Sequence, residues 1–190
     1  SMDFRLNTFT HILEGYKVAD KMKAHGAGAS SFSDWWAYKY EVKDAIPYNG
    51  ALLWEQGIVT AFNSDDREMA RRLNQEAGKA VKYGGVPEEE ALKFVTLNPA
   101  ILLHVDHMVG SIKVGKDADI VIWSDNPLSI YAKAEFTFVD GICYYSVDQD
   151  KANRDYITAE RARLIQLMLA SKDAGETTRK PKPAADKHYH

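Results

Sequence analysis

At 190 residues, 45% hydrophobic and 27% charged, the chain has enough apolar material for one sizeable core and an appendage. Its net charge of -3 gives no electrostatic footing for nucleic acid or an anionic membrane. A single cysteine, Cys143, excludes an intrachain disulfide and a thiolate zinc cluster, and no apolar run nears the roughly 20 residues of a membrane-spanning helix.

Ser1-Met2 reads as a cleavage remnant, and no secretory leader is legible before the first strand. Thr8 to Leu13 is a short strand candidate ending near His11. Glu14-Gly15-Tyr16 leads into a helix with Val18, Ala19 and Met22 on one face, closed by Gly26 as C-cap. Ala27 to Phe32 is a second strand of small residues. The aromatic, polar loop Ser33-Asp34-Trp35-Trp36-Ala37-Tyr38-Lys39 follows it. Pro47-Tyr48-Asn49-Gly50 breaks the chain before a short helix over 51–56.

Ile58-Val59-Thr60-Ala61-Phe62 is an apolar, β-branched run that reads as a buried strand. It ends in Ser64-Asp65-Asp66, after which Met69, Leu73, Ala77 and Ala80 recur at helical spacing as far as Gly84-Gly85. Ser64 or Asp65 can cap that helix. Two carboxylates therefore stand where a strand hands over to a helix, the rim on which α/β barrels build their sites. Read blandly, the same pair is a cap and a solvated neighbour. Pro87 suits the first position of the next helix, Glu88 to Glu90 its first turn, and Ala91, Leu92 and Val95 its buried face. Asn98-Pro99 ends it, and 99–103 is a second short helix.

From Val109 the texture changes. Ala118 to Trp123 is a strand, and Ser124-Asp125-Asn126-Pro127 a turn. Phe136 to Val139 and Ile142 to Tyr145 flank Asp140-Gly141, a two-residue hairpin signal. From Asp148 the pattern is helical, with Ile157, Leu164, Ile165 and Met168 on one stripe, and the tail after Gly175 is polar.

The alternation over 1–85 predicts about three parallel βα units, whereas a complete (β/α)₈ barrel needs about 250 residues. The fold expected is thus α/β: a partial TIM barrel of three βα units (1–108), a β-sandwich-like module (109–147), a C-terminal helix (148–175) and a polar tail (176–190). An opened barrel layer would bare an edge and an apolar face, so oligomerisation is expected.

Three blocks carry a family resemblance: FTHILEGYKVADKMKAHGAGASSFSDWWAYK at 9–39, GIVTAFNSDDREMARRLNQEA at 57–77, and EEEALKFVTLNPAILLHVDHMVGSIKVGKDADIVIWSDNPLS with FVDGICYYS behind it. Together they resemble the C-terminal portion of the metal-dependent amidohydrolase superfamily, in its imidazolonepropionase-like branch. The third block is the most specific, and in that family it leads from the barrel to a β-sandwich built by both chain ends. The resemblance implies a hydrolase of C–N bonds in a small-molecule amide or cyclic amide, with one or two divalent metals, commonly zinc, activating a water. His11 matches the sixth-strand histidine, a metal ligand in binuclear members and a contact to substrate or attacking water in mononuclear ones. Asp65 matches the eighth-strand aspartate, a weak metal ligand that carries the proton from water to the leaving nitrogen. Trp35, Trp36 and Lys39 are candidate substrate-wall residues, or else a packed aromatic loop. Asp66 would support the substrate or the cap.

The family's HxH pair and its fourth- and fifth-strand ligands have no counterpart before His188. Zinc sites need three or more protein ligands, and His11 and Asp65 are two. The expectation is a hydrolase part, inactive alone and completed by a missing N-terminal barrel half or a second copy. The alternative is a non-catalytic remnant serving as a dimerisation or scaffold module. His25, His104 and His107 read as solvated, Asp34 as mainly structural, Asp117 and Asp119 as turn residues, and Cys143 as a small buried hydrophobe. The lone cysteine suits a reducing compartment, cytoplasm ahead of periplasm.

Overall fold

The computed structural model describes residues 4–177 and 179. The expected tail lies almost entirely outside them, including His188 and His190. Two compact units divide the chain, Ser1–Tyr145 and Ser146–His190.

In the first unit, β1 (Thr8–Thr10), β2 (Gly28–Ser31) and β3 (Thr60–Phe62) form one parallel sheet in that order. The crossover from β1 to β2 is a 3₁₀ turn (Gly15–Val18) running into α1 (Ala19–His25). Gly26 closes α1 at φ 80°, a left-handed cap that glycine adopts without a Cβ penalty. The crossover from β2 to β3 is the aromatic loop followed by α2 (Asn49–Glu55). After β3 come α3 (Arg67–Ala70) and α4 (Leu73–Gly84), then α5 (Glu88–Lys93) and α6 (Leu97–Leu102).

Register puts Phe9, Ala29 and Thr60 in one row, with Phe62 two residues on, all facing the helices. Ala29 joins Ala19, Met22, Leu53 and Ile58 in one core cluster, while Phe62 joins Ala51, Ala80, Val86, Ala91 and Phe94 in the other. Phe94 and Leu53 are fully buried, and Phe94 meets Phe62 edge-on at 5.2 Å and 89°. Phe94 thus carries the buried face of α5 and its exit with Ala91, more than the expected Leu92 and Val95, which are half-buried.

The opposite face of the sheet presents the row Thr10, Ser30 and Ala61. It is small and hydroxyl-bearing, so the expected bare apolar face is not what this layer shows. Nor is the β3 edge bare. Phe62 N–H donates to the Phe94 carbonyl at 2.8 Å, and Asn98 Nδ2 donates to the Thr60 carbonyl at 2.7 Å.

Two helical expectations shift. The single helix expected after β3 is broken at Arg71–Arg72, where Arg72 at φ -128° ends the phase of α3 and starts that of α4. Pro87 stands one place earlier than expected, outside α5, with extended backbone at ψ 142°.

The β-module belongs to the first compact unit. β4 (Ile120–Trp123), β5 (Ala134–Val139) and β6 (Ile142–Ser146) form a sheet in that order, β4 and β5 pairing antiparallel. Asp140 and Gly141 both take positive φ, 50° and 76°, the twist that two-residue hairpins favour. Cys143 is exposed, contrary to the buried position expected. It stands on β6, the last strand of the sheet, where four of five residues are exposed.

The second unit contains α7 (Val147–Asp173), capped by the Ser146 hydroxyl, which accepts from Gln149 N–H at 3.2 Å. Arg163 makes two hydrogen bonds to Glu160, at 2.7 and 2.6 Å, holding the Glu160 carboxyl below its ordinary range. Ile157, Leu164, Ile165 and Met168 are exposed.

Candidate active site

His11 and Asp65 leave the same end of the parallel sheet, the carboxyl end of β1 and β3. Their side chains meet: His11 Nε2 stands 3.3 Å from Asp65 Oδ1, and each side chain is 51% exposed. The local backbone explains both aims. His11 sits at φ 58°, a conformation uncommon outside glycine, so the strand skips a residue. Ile12 N–H, not that of His11, donates to the Ser30 carbonyl at 3.2 Å. The imidazole is thereby turned over the sheet's end.

At β3 the chain pairs once more beyond Phe62, through Asn63 N–H to the Ser31 carbonyl at 2.9 Å. The Ser64 hydroxyl then accepts from Asp66 N–H at 3.0 Å, turning the chain back. Asp66, not Ser64 or Asp65, is the cap of α3: its Oδ1 accepts from Glu68 N–H and Met69 N–H, both at 2.9 Å. Capping, one of the roles expected of Asp66, is the one it takes, in place of Ser64 or Asp65. It also ties to a structural task the carboxylate considered for substrate. Asp65, spared from capping, is left pointing at His11.

The aromatic loop divides its tryptophans. The Phe32 ring packs against the His11 imidazole at 5.0 Å, and Trp35 stacks on Phe32 at 4.5 Å and 25°. Tyr38 closes edge-on against Trp35 at 5.7 Å. Trp35 therefore stands in the wall beside His11. Trp36 turns instead to α4, meeting Tyr83 at 5.5 Å and 89°. Lys39 is exposed, its ammonium 5.5 Å from the centre of the Tyr38 ring. Among the described residues no hydrogen bond, ion pair or ring contact joins Trp36 or Lys39 to His11 or Asp65.

Beneath this wall lies a polar cluster that reading the sequence missed. Glu76 is buried at 6% exposure, accepts a short hydrogen bond from the Ser33 hydroxyl, and pairs with Lys79 at 2.7 Å. Lys79 also pairs with Asp34. Burial alone would lower the Lys79 pKa, but its bonds to Asp34 and Glu76 outweigh that and hold it above the ordinary lysine value. Asp34 Oδ1 and Asn63 Oδ1 are buried without a hydrogen-bond partner. The available signal was Glu76 itself, a carboxylate on the apolar stripe of Leu73, Ala77 and Ala80. His25, His104 and His107 are exposed, as expected, and His25 Nε2 also accepts from Leu6 N–H at 3.0 Å.

Two donors on a tetrahedral zinc, each about 2.0–2.1 Å from it, stand about 3.3 Å apart. The His11–Asp65 separation fits one shared divalent ion. Among the described residues no group of three or more His, Cys, Asp or Glu is placed to hold a metal, so the pair falls short of the three protein ligands a zinc site uses.

The sequence profile of the Amidohydrolase family matches residues 42–148, a span that includes Asp65. Over 168 residues the chain is 29% identical to the amidohydrolase tasK of Hapsidospora irregularis, covering 86% of this chain and 17% of that protein. Over 116 residues it is 35% identical to urease subunit alpha of Edwardsiella ictaluri, covering 52% of this chain and 20% of that one. An amidohydrolase of Thermotoga maritima superposes at TM-score 0.68 with 28% identity, over 73% of this chain and 37% of that structure. A zinc-bound adenosine deaminase of Xanthomonas campestris superposes at 0.55 with 17% identity, over 84% and 42%, a likeness of fold. The chain thus spans 17–20% of these curated relatives and 37–42% of these solved structures.

Proposed function

The chain belongs to the amidohydrolase family, and from that premise we propose that it carries the His11–Asp65 corner of a metal-dependent hydrolase of C–N bonds in a small amide or cyclic amide. One observation supports this most directly: the two side chains converge to 3.3 Å at the carboxyl end of a parallel sheet, each half-exposed. A divalent ion, zinc for choice, would be held by His11 Nε2 and Asp65 Oδ1 and would lower the pKa of a bound water toward neutrality.

Asp65 is the general base. Its carboxylate takes a proton from water as the water oxygen bonds to the amide carbon. It then delivers that proton to the nitrogen as the C–N bond breaks. His11 fixes the direction of the Asp65 carboxylate. Phe32 and Trp35 form an apolar wall beside the imidazole, suited to a flat or apolar part of the substrate. The imidazolonepropionase-like branch is the member group that the three sequence blocks favour. Two protein donors fall short of the three a catalytic zinc site uses, so the chain is inactive alone. The remaining ligands come from an N-terminal barrel half or from a partner copy.

The test is zinc titration and amide hydrolysis with this chain mixed with a polypeptide bearing the missing strands. Recovered hydrolysis that Asp65→Asn abolishes supports the proposal. Absence of zinc binding at every mixing ratio refutes it and leaves a scaffold or dimerisation module.

A further inference from the structure

We infer that Glu76 and Lys79 on α4 are positioning residues for this site, acting through Ser33 and Asp34 to hold Trp35 against Phe32 and so beside His11. The inference rests on the reading of His11 and Asp65 as the working pair and extends it to residues more than ten positions away in sequence.

Directions in the loop carry the argument. Ser33 and Asp34 reach to α4, the first to Glu76 and the second to Lys79. Phe32 before them and Trp35 after them turn the other way, into the stack that begins at His11. The two anchored residues are therefore bracketed by the two wall residues. Moving the anchors moves the wall.

The loop needs such holding, because its backbone does not favour this shape. Trp35 at φ 68° and Ala37 at φ 52° occupy the left-handed region, which side-chain-bearing residues populate sparsely. Those conformations persist only where surroundings over-determine them. The surroundings here are α4: the Glu76–Lys79 pair, and Tyr83 one turn on, which receives Trp36.

Charge explains why both members are required. An exposed Glu–Lys pair three residues apart on a helix contributes little. This pair differs because Glu76 is buried and Lys79 is shared with a second carboxylate, Asp34. Without the ammonium, two carboxylates face one another with no cation between them, and Asp34 already has one oxygen unpartnered. The side chain freer to move is Asp34, half-buried, and with it goes the backbone leading into Trp35.

The experiment is ¹⁹F NMR of the full chain labelled with 5-fluorotryptophan, which reports on Trp35, Trp36, Trp54 and Trp123. Trp35→Phe assigns the Trp35 resonance. In Lys79→Met that resonance is expected to shift and broaden while those of Trp54 and Trp123 stay in place, and Lys79→Arg is expected to restore it. Ser33→Ala, which removes a single hydroxyl and is expected to fold, is expected to shift it in the same sense and decides the matter if Lys79→Met does not fold. A Trp35 resonance unmoved in Ser33→Ala and in any folded Lys79 variant overturns the inference, even where the melting temperature falls. Asp65→Asn separates the two readings: it is expected to remove hydrolysis in the completed enzyme while leaving the Trp35 signal alone.

Discussion

Asp65 and Asp66 are neighbours of the same chemical type with different partners, the first His11 and the second the amides that open α3. Asp66 Oδ1 accepts from two amides at the start of α3, both at 2.9 Å. Replacing such a cap by alanine costs about 1 kcal/mol, within a range of about 0.5–2. For a chain of this size each kcal/mol lowers the melting temperature by about 2–4 °C. Asp66→Ala is therefore expected to melt a few degrees early. Asp65 makes one half-exposed contact, to His11, and such pairs contribute about 0–1 kcal/mol. Asp65→Asn keeps shape and volume, so its melting temperature should stay within about 2 °C of the parent. Circular dichroism melts of both variants measure the global effect. Amide hydrogen exchange at Glu68 and Met69 measures the local one, which should quicken in Asp66→Ala alone. A melt of Asp66→Ala matching the parent, or an Asp65→Asn loss as large as that of Asp66→Ala, refutes the division of labour.

Phe94→Ala should destabilise by about 3–5 kcal/mol, since it empties a fully buried ring position and removes the edge contact to Phe62; a urea midpoint close to that of the parent would contradict the core assignment. Gly84→Ala tests close packing, because alanine would ordinarily gain about 0.5–1 kcal/mol in a helix. Here the new Cβ would lie 2.1 Å from the Ala51 Cβ, which has no rotamer to yield, so backbone must move and a net loss of about 1–3 kcal/mol is expected in the same urea series.

What was legible in the sequence is what local chemistry decides. Gly26 ends α1 because it can take positive φ, Asp140-Gly141 turns the hairpin for the same reason, and three βα units follow from strand runs alternating with helical spacing. What escaped depends on where the chain happens to turn. Ser64, Asp65 and Asp66 are all competent caps, and only the turn closed by the Ser64 hydroxyl decides in favour of Asp66. The break at Arg71–Arg72 leaves the apolar spacing nearly intact, so periodicity runs through it. Ser33 and Glu76 are 43 residues apart, and their bond has no signature beyond a carboxylate on an apolar stripe. The family resemblance singled out His11; its left-handed backbone, which aims the ring, had no signal in the sequence.

The asymmetry of the sheet bears on which half of the pair this chain fixes by itself. β3 is bonded on both sides: Asn63 N–H reaches Ser31 toward β2, while the outer edge receives the Phe94 carbonyl and the Asn98 amide. This gives the TLNPA block a physical role, since its asparagine takes a polar bond that an adjacent strand would otherwise make. Asp65 thus stands at the end of a strand whose position does not wait for another chain. Among the described residues β1 is an edge strand paired to β2 alone, and the residues after it are held by Ile12 N–H to Ser30 and by Asn49 Nδ2 to the Ile12 carbonyl at 2.9 Å. His11 hangs on the softer side, steadied by the Phe32 ring. The strand that carries the proposed base is therefore fixed within this chain, whereas the imidazole's final placement depends more on the aromatic wall and on whatever pairs with the outer edge of β1. On the proposed chemistry, that ordering is why the wall, and the α4 carboxylate and ammonium beneath it, would matter although they touch neither reacting atom.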